Sequence, residues 1–387
     1  MSSQLIKQIV SLIQENHFEE ARGVINRMAA VQAADPAILH EMGKLSFLMG
    51  DLEPAEKYLR ACLAINQSDP ETYYQLGLVL IEKRQFAEAM PAFREACERK
   101  ANFALGYFYW GLALYEMGNT QGALGQFNLA HKLDTTLFLP LYYSGLVQQK
   151  LGQYKKAQQF FEQVIGLDSS FAPVHNAIGV SHYHLGNESE AIISFQRACK
   201  ISPDFATAHL NLGDIFLKLE KYETAQMHYR DTLKSSDLSA QERASAYNNL
   251  AIIDAKSKAW EKACDNLSQG HAIAPDLTNI QINLGLVLIA LREYDLAISH
   301  FEQVLKRNSN EPEANFYLGL SLLCLSKRDQ ALEQLLKAAR IIEATNLKGT
   351  ALHQQLLLWL AYAHLANKNY PEAKQGLDKL NFLKSKN

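Results

Sequence analysis

Side chains capable of chemistry are sparse in this 387-residue chain. The segment VHNAIGVSHYHLGN carries His175, His182 and His184. His175 and His182 are seven residues apart and so share a helix face, and His209 stands 34 residues after His175. Zinc needs three or four ligands in matching geometry, so these histidines are read as packing residues and no metal is expected. The five cysteines, Cys62, Cys97, Cys199, Cys264 and Cys324, include no C-x-x-C pair. They read as small apolar side chains in a reducing compartment, with Cys324 the accessible one. No G-x-S-x-G, H-E-x-x-H or phosphate-cradling glycine loop occurs, so no catalytic residue and no cofactor is expected. A row of asparagines stands out instead. Asn211, Asn249 and Asn283 each lie two residues before a small residue, Gly213, Ala251 or Gly285. A side-chain amide offers donors and an acceptor, so a row of them can pair with an extended peptide backbone without reading its side chains.

The elements that place this row follow from a repeat. Gly43, Gly77, Gly111, Gly145, Gly179 and Gly213 are 34 residues apart, as are Ala251, Gly285 and Gly319, and Ala361 closes the series. Twelve residues further on stand Ala55, Ala89, Ala123, Ala157, Ala191, Ala225, Ala263, Ala297, Ala331 and Ala373, with Ala21 in the first unit. Eleven units fill residues 2–387, at 2–35, 36–69, 70–103, 104–137, 138–171, 172–205, 206–243, 244–277, 278–311, 312–353 and 354–387. Two insertions break the period, one near Lys234–Arg243 and one near Ile342–His353. In the first, Ser239 and Glu242 have capping-box spacing. A helix-interior glycine costs about 1 kcal/mol against alanine. Its recurrence predicts two antiparallel helices per unit, whose backbones approach closely at the glycine and the alanine.

The pattern resembles the tetratricopeptide repeat, W-x2-L-G-x2-Y followed by alanine, an aromatic and proline at set offsets. The aromatic recurs as Phe93, Phe127, Phe161, Phe195, Tyr229 and Phe301. Gly50, Gly118, Gly152 and Gly186 suit left-handed helix ends, and Pro36, Pro70 and Pro312 suit first helical positions. His175, His209 and His182 take positions that the family fills with aromatics. The resemblance implies an all-α, right-handed superhelical solenoid of antiparallel helix pairs, with the first helices lining a concave groove. By register the groove would carry Tyr74, Phe108, Tyr109, Tyr142 and Tyr143, then Asn176, Asn211, Asn248, Asn249 and Asn283, then Phe316 and Tyr317. Lys150, Lys218 and Lys256 share a second groove register. The asparagine row is similar to the ladders in the grooves of O-GlcNAc transferase and kinesin light chain. The carboxylate clamp of chaperone-binding members is missing, because its arginine position is never arginine.

A net charge of −3 is too near neutral to argue for nucleic acid or an anionic membrane surface, so no nucleic-acid partner is expected. The apolar run Leu356–Ala363 is too short to span a bilayer, and the start of the chain lacks the pattern of a secretory signal, so a cytoplasmic protein with no membrane insertion is expected. Departures from the repeat are Pro91 inside a second helix, where local disturbance is expected, and Asp254 and Gly270 at positions of tyrosine and alanine. The last unit, LLLWLAYAHLA, lacks a polar capping helix and predicts an apolar end at Leu358, Trp359 and Tyr362. The function read from these features is a non-enzymatic adaptor that binds a partner segment in its groove. The alternatives are homo-oligomeric self-assembly through the last unit, or regulation of an enzyme on another chain.

Overall fold

The computed structural model describes residues 2–15, 17–32, 35–236, 238–345, 347 and 350–384. These form 22 α-helices and, among the described residues, no strand. The chain divides into two compact units, Met1–Ile201 and Ser202–Asn387. The first holds α1 (Ser2–Gln14), α2 (Phe18–Gln32), α3 (Pro36–Leu48), α4 (Leu52–Ile65), α5 (Pro70–Glu82) and α6 (Phe86–Arg99). It continues through α7 (Ala104–Glu116), α8 (Thr120–Leu133), α9 (Leu139–Lys150), α10 (Tyr154–Leu167), α11 (Ala172–His184) and α12 (Glu188–Ile201). The second holds α13 (Ala206–Lys218), α14 (Tyr222–Lys234), α15 (Ala240–Lys256), α16 (Trp260–Ile273) and α17 (Thr278–Ala290). It ends with α18 (Tyr294–Arg307), α19 (Pro312–Cys324), α20 (Arg328–Ala344), α21 (Ala351–Ala366) and α22 (Tyr370–Lys384). Within each unit, odd-numbered helices pack on the even-numbered helix that follows and lie beside the next odd-numbered helix, so first helices share one face. Both units are all-α solenoid stacks.

Local chemistry sets the helix limits. Asp35 and Asp69 accept hydrogen bonds from backbone N–H groups of the next turn, with Pro36 and Pro70 at the first helical position. First helices end on a left-handed residue, which is Gly50, Gly118, Gly152 or Gly186 at φ between 72° and 81°. The next N–H then returns to a carbonyl of the last turn, as Asn119 N does to Leu114 O at 2.8 Å. Arg84, Glu220, Lys258, Arg292, Ser326 and Lys368 adopt the same conformation at the equivalent position, φ 57° to 64°. This conformation costs a residue with a Cβ about 1–2 kcal/mol.

In most hairpins the helix-interior glycine is a seat for a ring, whereas Gly43 and Gly319 face Leu59 and Leu335. A Cβ on Gly111 would stand 2.7 Å from two ring carbons of Phe127 and 3.3 Å from the carbonyl oxygen of Ala123. The same relation, sixteen residues apart, joins Gly77 to Phe93, Gly179 to Phe195, Gly213 to Tyr229 and Gly285 to Phe301. Where the small residue is Ala251 or Ala361, the residue sixteen on is Leu267 or Leu377. The alanines of the second helices are sealed between the backbones, from Ala21 to Ala331 without exposed surface.

The irregularities are absorbed as helix. Relative to its small residue, α15 starts four residues earlier than α13, one extra turn, and Ser239 and Glu242 form a complete capping box at its start. The second insertion extends α20 to 17 residues and α21 to 16, and its loop includes residues outside the described set. Pro91 does not disturb α6, which runs the same 14 residues as α4 and α8. The carbonyl that loses its partner belongs to Ala87, an exposed residue of the first turn that water can reach.

Candidate partner-binding face

In the second unit the side-by-side first helices α13, α15 and α17 place Asn211, Asn249 and Asn283 half-buried on their shared face. The amides are not independent. Asn283 Nδ2 donates to Asn248 Oδ1 at 2.8 Å, and Asn248 Nδ2 donates to Asn249 Oδ1 at 3.2 Å. Asn249 Nδ2 donates to Asp214 Oδ1 at 2.9 Å, and the Tyr229 hydroxyl donates to the same oxygen at 2.7 Å. Three amides are thus aligned in one direction and terminate on a carboxylate. Asn248 is buried, and its role is to link the asparagines on either side of it. Sequence reasoning does not reach Asp214 and Tyr229 as members of this network. The legible signal is Tyr229, the one tyrosine at a position held elsewhere by phenylalanine or an aliphatic residue.

Beside Asn283 lies a cavity of about 340 Å³ lined by Ala251, Ile252, Ala255, Lys256, Trp260, Leu267, Leu286, Val287 and Ala290. Nearly all of its wall is apolar. Leu267 stands where the neighbouring hairpins carry Tyr229 and Phe301, and the smaller side chain leaves volume beneath Ala255. Lys256 is exposed at the rim, and Lys218, also exposed, occupies the same register on α13. Asp254 does not point to a partner. It is buried and accepts from Asn266 Nδ2 at 2.8 Å. Gly270 allows α15 and α16 to close, since a Cβ there would stand 3.2 Å from the carbonyl oxygen of Ala244.

In the first unit the expected aromatic wall is partly core. Tyr74 and Phe108 are buried, as is Phe316 in the second unit. The reason is register: these residues lie one turn before the glycine, where the next hairpin covers them. Tyr74 meets Tyr109 at 5.8 Å, and Phe108 meets Tyr143 at 5.6 Å. Tyr109, Tyr142, Tyr143 and Tyr317 are half-buried. Tyr109 stacks on Phe93, Tyr142 packs edge-on to Phe171, and Tyr317 stacks on Phe301. Burial raises the phenol pKa of all four. Lys150 is exposed and lies 5.1 Å from the ring centre of Tyr115, and Asn176 is half-buried. Leu358 and Tyr362 are 51% and 56% exposed, and Trp359 stands edge-on to Tyr362.

Two of the histidines singled out in the sequence bond a backbone carbonyl. Nε2 of His175 bonds the Ser169 carbonyl and that of His209 bonds the Pro203 carbonyl, each at 3.0 Å, fastening the loop before its own helix. Burial pushes the Cys97 thiol up to about 12 and raises that of Cys62, whereas Cys324 is exposed. No helix among the described residues is long and apolar enough to cross a membrane.

Comparison with known proteins agrees with this architecture. A profile described as tetratricopeptide repeat matches residues 36–69, 70–103, 141–171 and 206–236. A second of that description matches 282–346, and one described as TPR repeat matches 182–220. A tetratricopeptide repeat protein from Parabacteroides merdae ATCC 43184 is similar at 19% identity, covering 65% of this chain and 98% of its own, with a TM-score of 0.53. The APC/C hetero-tetramer Cut9-Hcn1 is similar at 18% identity over 79% of this chain and 60% of the other, with a TM-score of 0.55. At these identities the likeness is one of fold. No curated protein matches the chain in sequence. The three profiles together span more than half of the residues, the 34-residue period runs beyond them, and the helices pair as that period requires: the chain belongs to the tetratricopeptide-repeat family.

Proposed function

We propose that this chain is a non-enzymatic interaction protein that holds an extended segment of a partner protein along the first-helix face of its second unit. Proteins of this family generally mediate protein–protein interaction. The observation that carries the reading is the run of linked amides beside the apolar cavity. Asn249 and Asn283 are half-buried on that face, where their amides can exchange hydrogen bonds with a peptide backbone. The cavity takes one bulky apolar side chain, whose full burial contributes about 1.5–3 kcal/mol. Lys256 and Lys218 favour acidic residues beside that anchor and orient the segment more than they tighten it.

The test is selection from a displayed library of random peptides on the full-length protein, followed by fluorescence polarisation with the peptides recovered. Enrichment of an apolar residue flanked by acidic ones is expected. Ala255→Phe, which fills the cavity, and the Asn249→Ala, Asn283→Ala pair should each weaken binding at least tenfold, with helicity unchanged. Peptides that bind both variants as they bind the unaltered protein would refute the face. A second reading, self-assembly, rests on the exposed Leu358 and Tyr362. Light scattering over a concentration series tests it, and a mass that stays monomeric rejects it.

A further inference from the structure

One group of ligating side chains lies apart from the amide row. On α14, His228 precedes Asp231 by three residues, so the two share a helix face. The partner helix α13 brings His209 against them. Nδ1 of His209 and Nδ1 of His228 are 3.0 Å apart, and ligand atoms of all three residues lie within 4.8 Å of one another. Both imidazoles are buried, and Asp231 is half-buried. The second nitrogen of His209 already has a partner. Its Nε2 donates to the Pro203 carbonyl at 3.0 Å, which puts the proton of the neutral ring there and leaves a lone pair on Nδ1. A ring N–H fixed by a backbone carbonyl is the usual support of a metal-ligating histidine. His228 is held by Phe216, with ring planes 3° apart and centres 5.6 Å apart. Lys234 donates to Asp231 Oδ1 at 2.6 Å, which leaves Oδ2 for a further bond.

We infer that His209, His228 and Asp231 form a binding site for one divalent transition-metal ion of the zinc class, with water completing its coordination. Two imidazoles and one carboxylate suit zinc, cobalt or nickel rather than magnesium or calcium. At bond lengths of about 2.0–2.1 Å, the two nitrogens meet an ion close to a right angle. The carboxylate, within 4.8 Å of both rings' ligand atoms, reaches the same ion through rotation of its side chain. Bound there, the ion ties α13 to α14 next to Tyr229, which holds Asp214 at the end of the amide row. A proton shared between the two Nδ1 atoms would give the same spacing with no metal.

Titration separates the two. Full-length protein stripped with chelator is titrated with Co²⁺ and followed by its visible d–d absorption, then with Zn²⁺. One equivalent of Co²⁺ should develop bands distinct from those of the aqueous ion, and one equivalent of Zn²⁺ should erase them. His228→Gln and Asp231→Asn should each lower Co²⁺ affinity at least tenfold, and His17→Gln, outside the site, should leave it unchanged. Absence of new bands, or variants that titrate like the unaltered protein, overturns the site and leaves a proton-sharing histidine pair. If His228→Gln loses its helical signal, Asp231→Asn, an isosteric change at a half-buried position, decides between the two on its own.

Discussion

Substituting Gly111 by alanine adds one methyl group whose effect can be worked out from its surroundings. The new Cβ would lie 2.7 Å from two ring carbons of Phe127, about an ångström inside ordinary van der Waals contact. The ring has no room to retreat. It is fully buried, with Phe108 at 5.9 Å, Tyr143 at 5.6 Å and the backbone of Ala123 behind the glycine. Overpacking of this kind costs about 1–3 kcal/mol, and the gain in helix propensity returns about 0.8–1.0 kcal/mol. Gly111→Ala should therefore destabilise by about 0–2 kcal/mol. Phe127→Leu alone should lose clearly less than the ~3–5 kcal/mol of a truncation to alanine. In that background Gly111→Ala should cost less, because a leucine can turn aside as it does opposite Ala251 and Ala361, although opposite Gly43 and Gly319 a Cβ would still stand 2.5 and 2.8 Å from Leu59 and Leu335. The coupling energy of the cycle should thus be favourable and of the order of 1 kcal/mol. Hydrogen–deuterium exchange of peptides from α7 and α8 in the full-length protein reads the local opening energy, which a global melt of a repeat array would blur. Effects that add within about 0.5 kcal/mol would refute the account of the glycine as a ring seat.

Two further predictions rest on other parts of the repeat. At the left-handed helix ends, Lys258→Gly should stabilise and Gly118→Ala should destabilise, each by roughly 1 kcal/mol, and a common sign in urea unfolding would contradict the assigned conformation. Among the five thiols, Cys324 should react first with an aromatic disulfide reagent. Cys62 and Cys97 should react only on unfolding, because burial holds both as thiols, and fast labelling of Cys97 in the folded protein would show that the core is not closed there.

Much of the architecture was legible because a repeat multiplies weak signals. One glycine in a helix is ambiguous, but the same glycine at 34-residue steps, with an alanine twelve residues later, leaves two packed helices as the economical reading. The capping box at Ser239 and Glu242 was legible for a similar reason, since the hydrogen bonds that make it are local. Pro91 misled because propensity describes a helix in isolation, whereas its lost bond falls at an exposed first turn.

The asparagines divide most clearly into what each level of structure decides. Sequence alone determined that Asn211, Asn249 and Asn283 recur at one register, and therefore that they stand on one face. It could not decide where their hydrogen bonds go. That depends on the separation of α13, α15 and α17 and on side chains 35 residues away, and only tertiary packing points Asn283 at Asn248 and Asn249 at Asp214. The same limit hid the burial of Tyr74, Phe108 and Phe316, because a helical register gives the direction of a side chain but not whether the next hairpin covers it. It also hid the approach of His209 to His228: a period of 34 compares a residue with its equivalents, and these two meet across a hairpin instead.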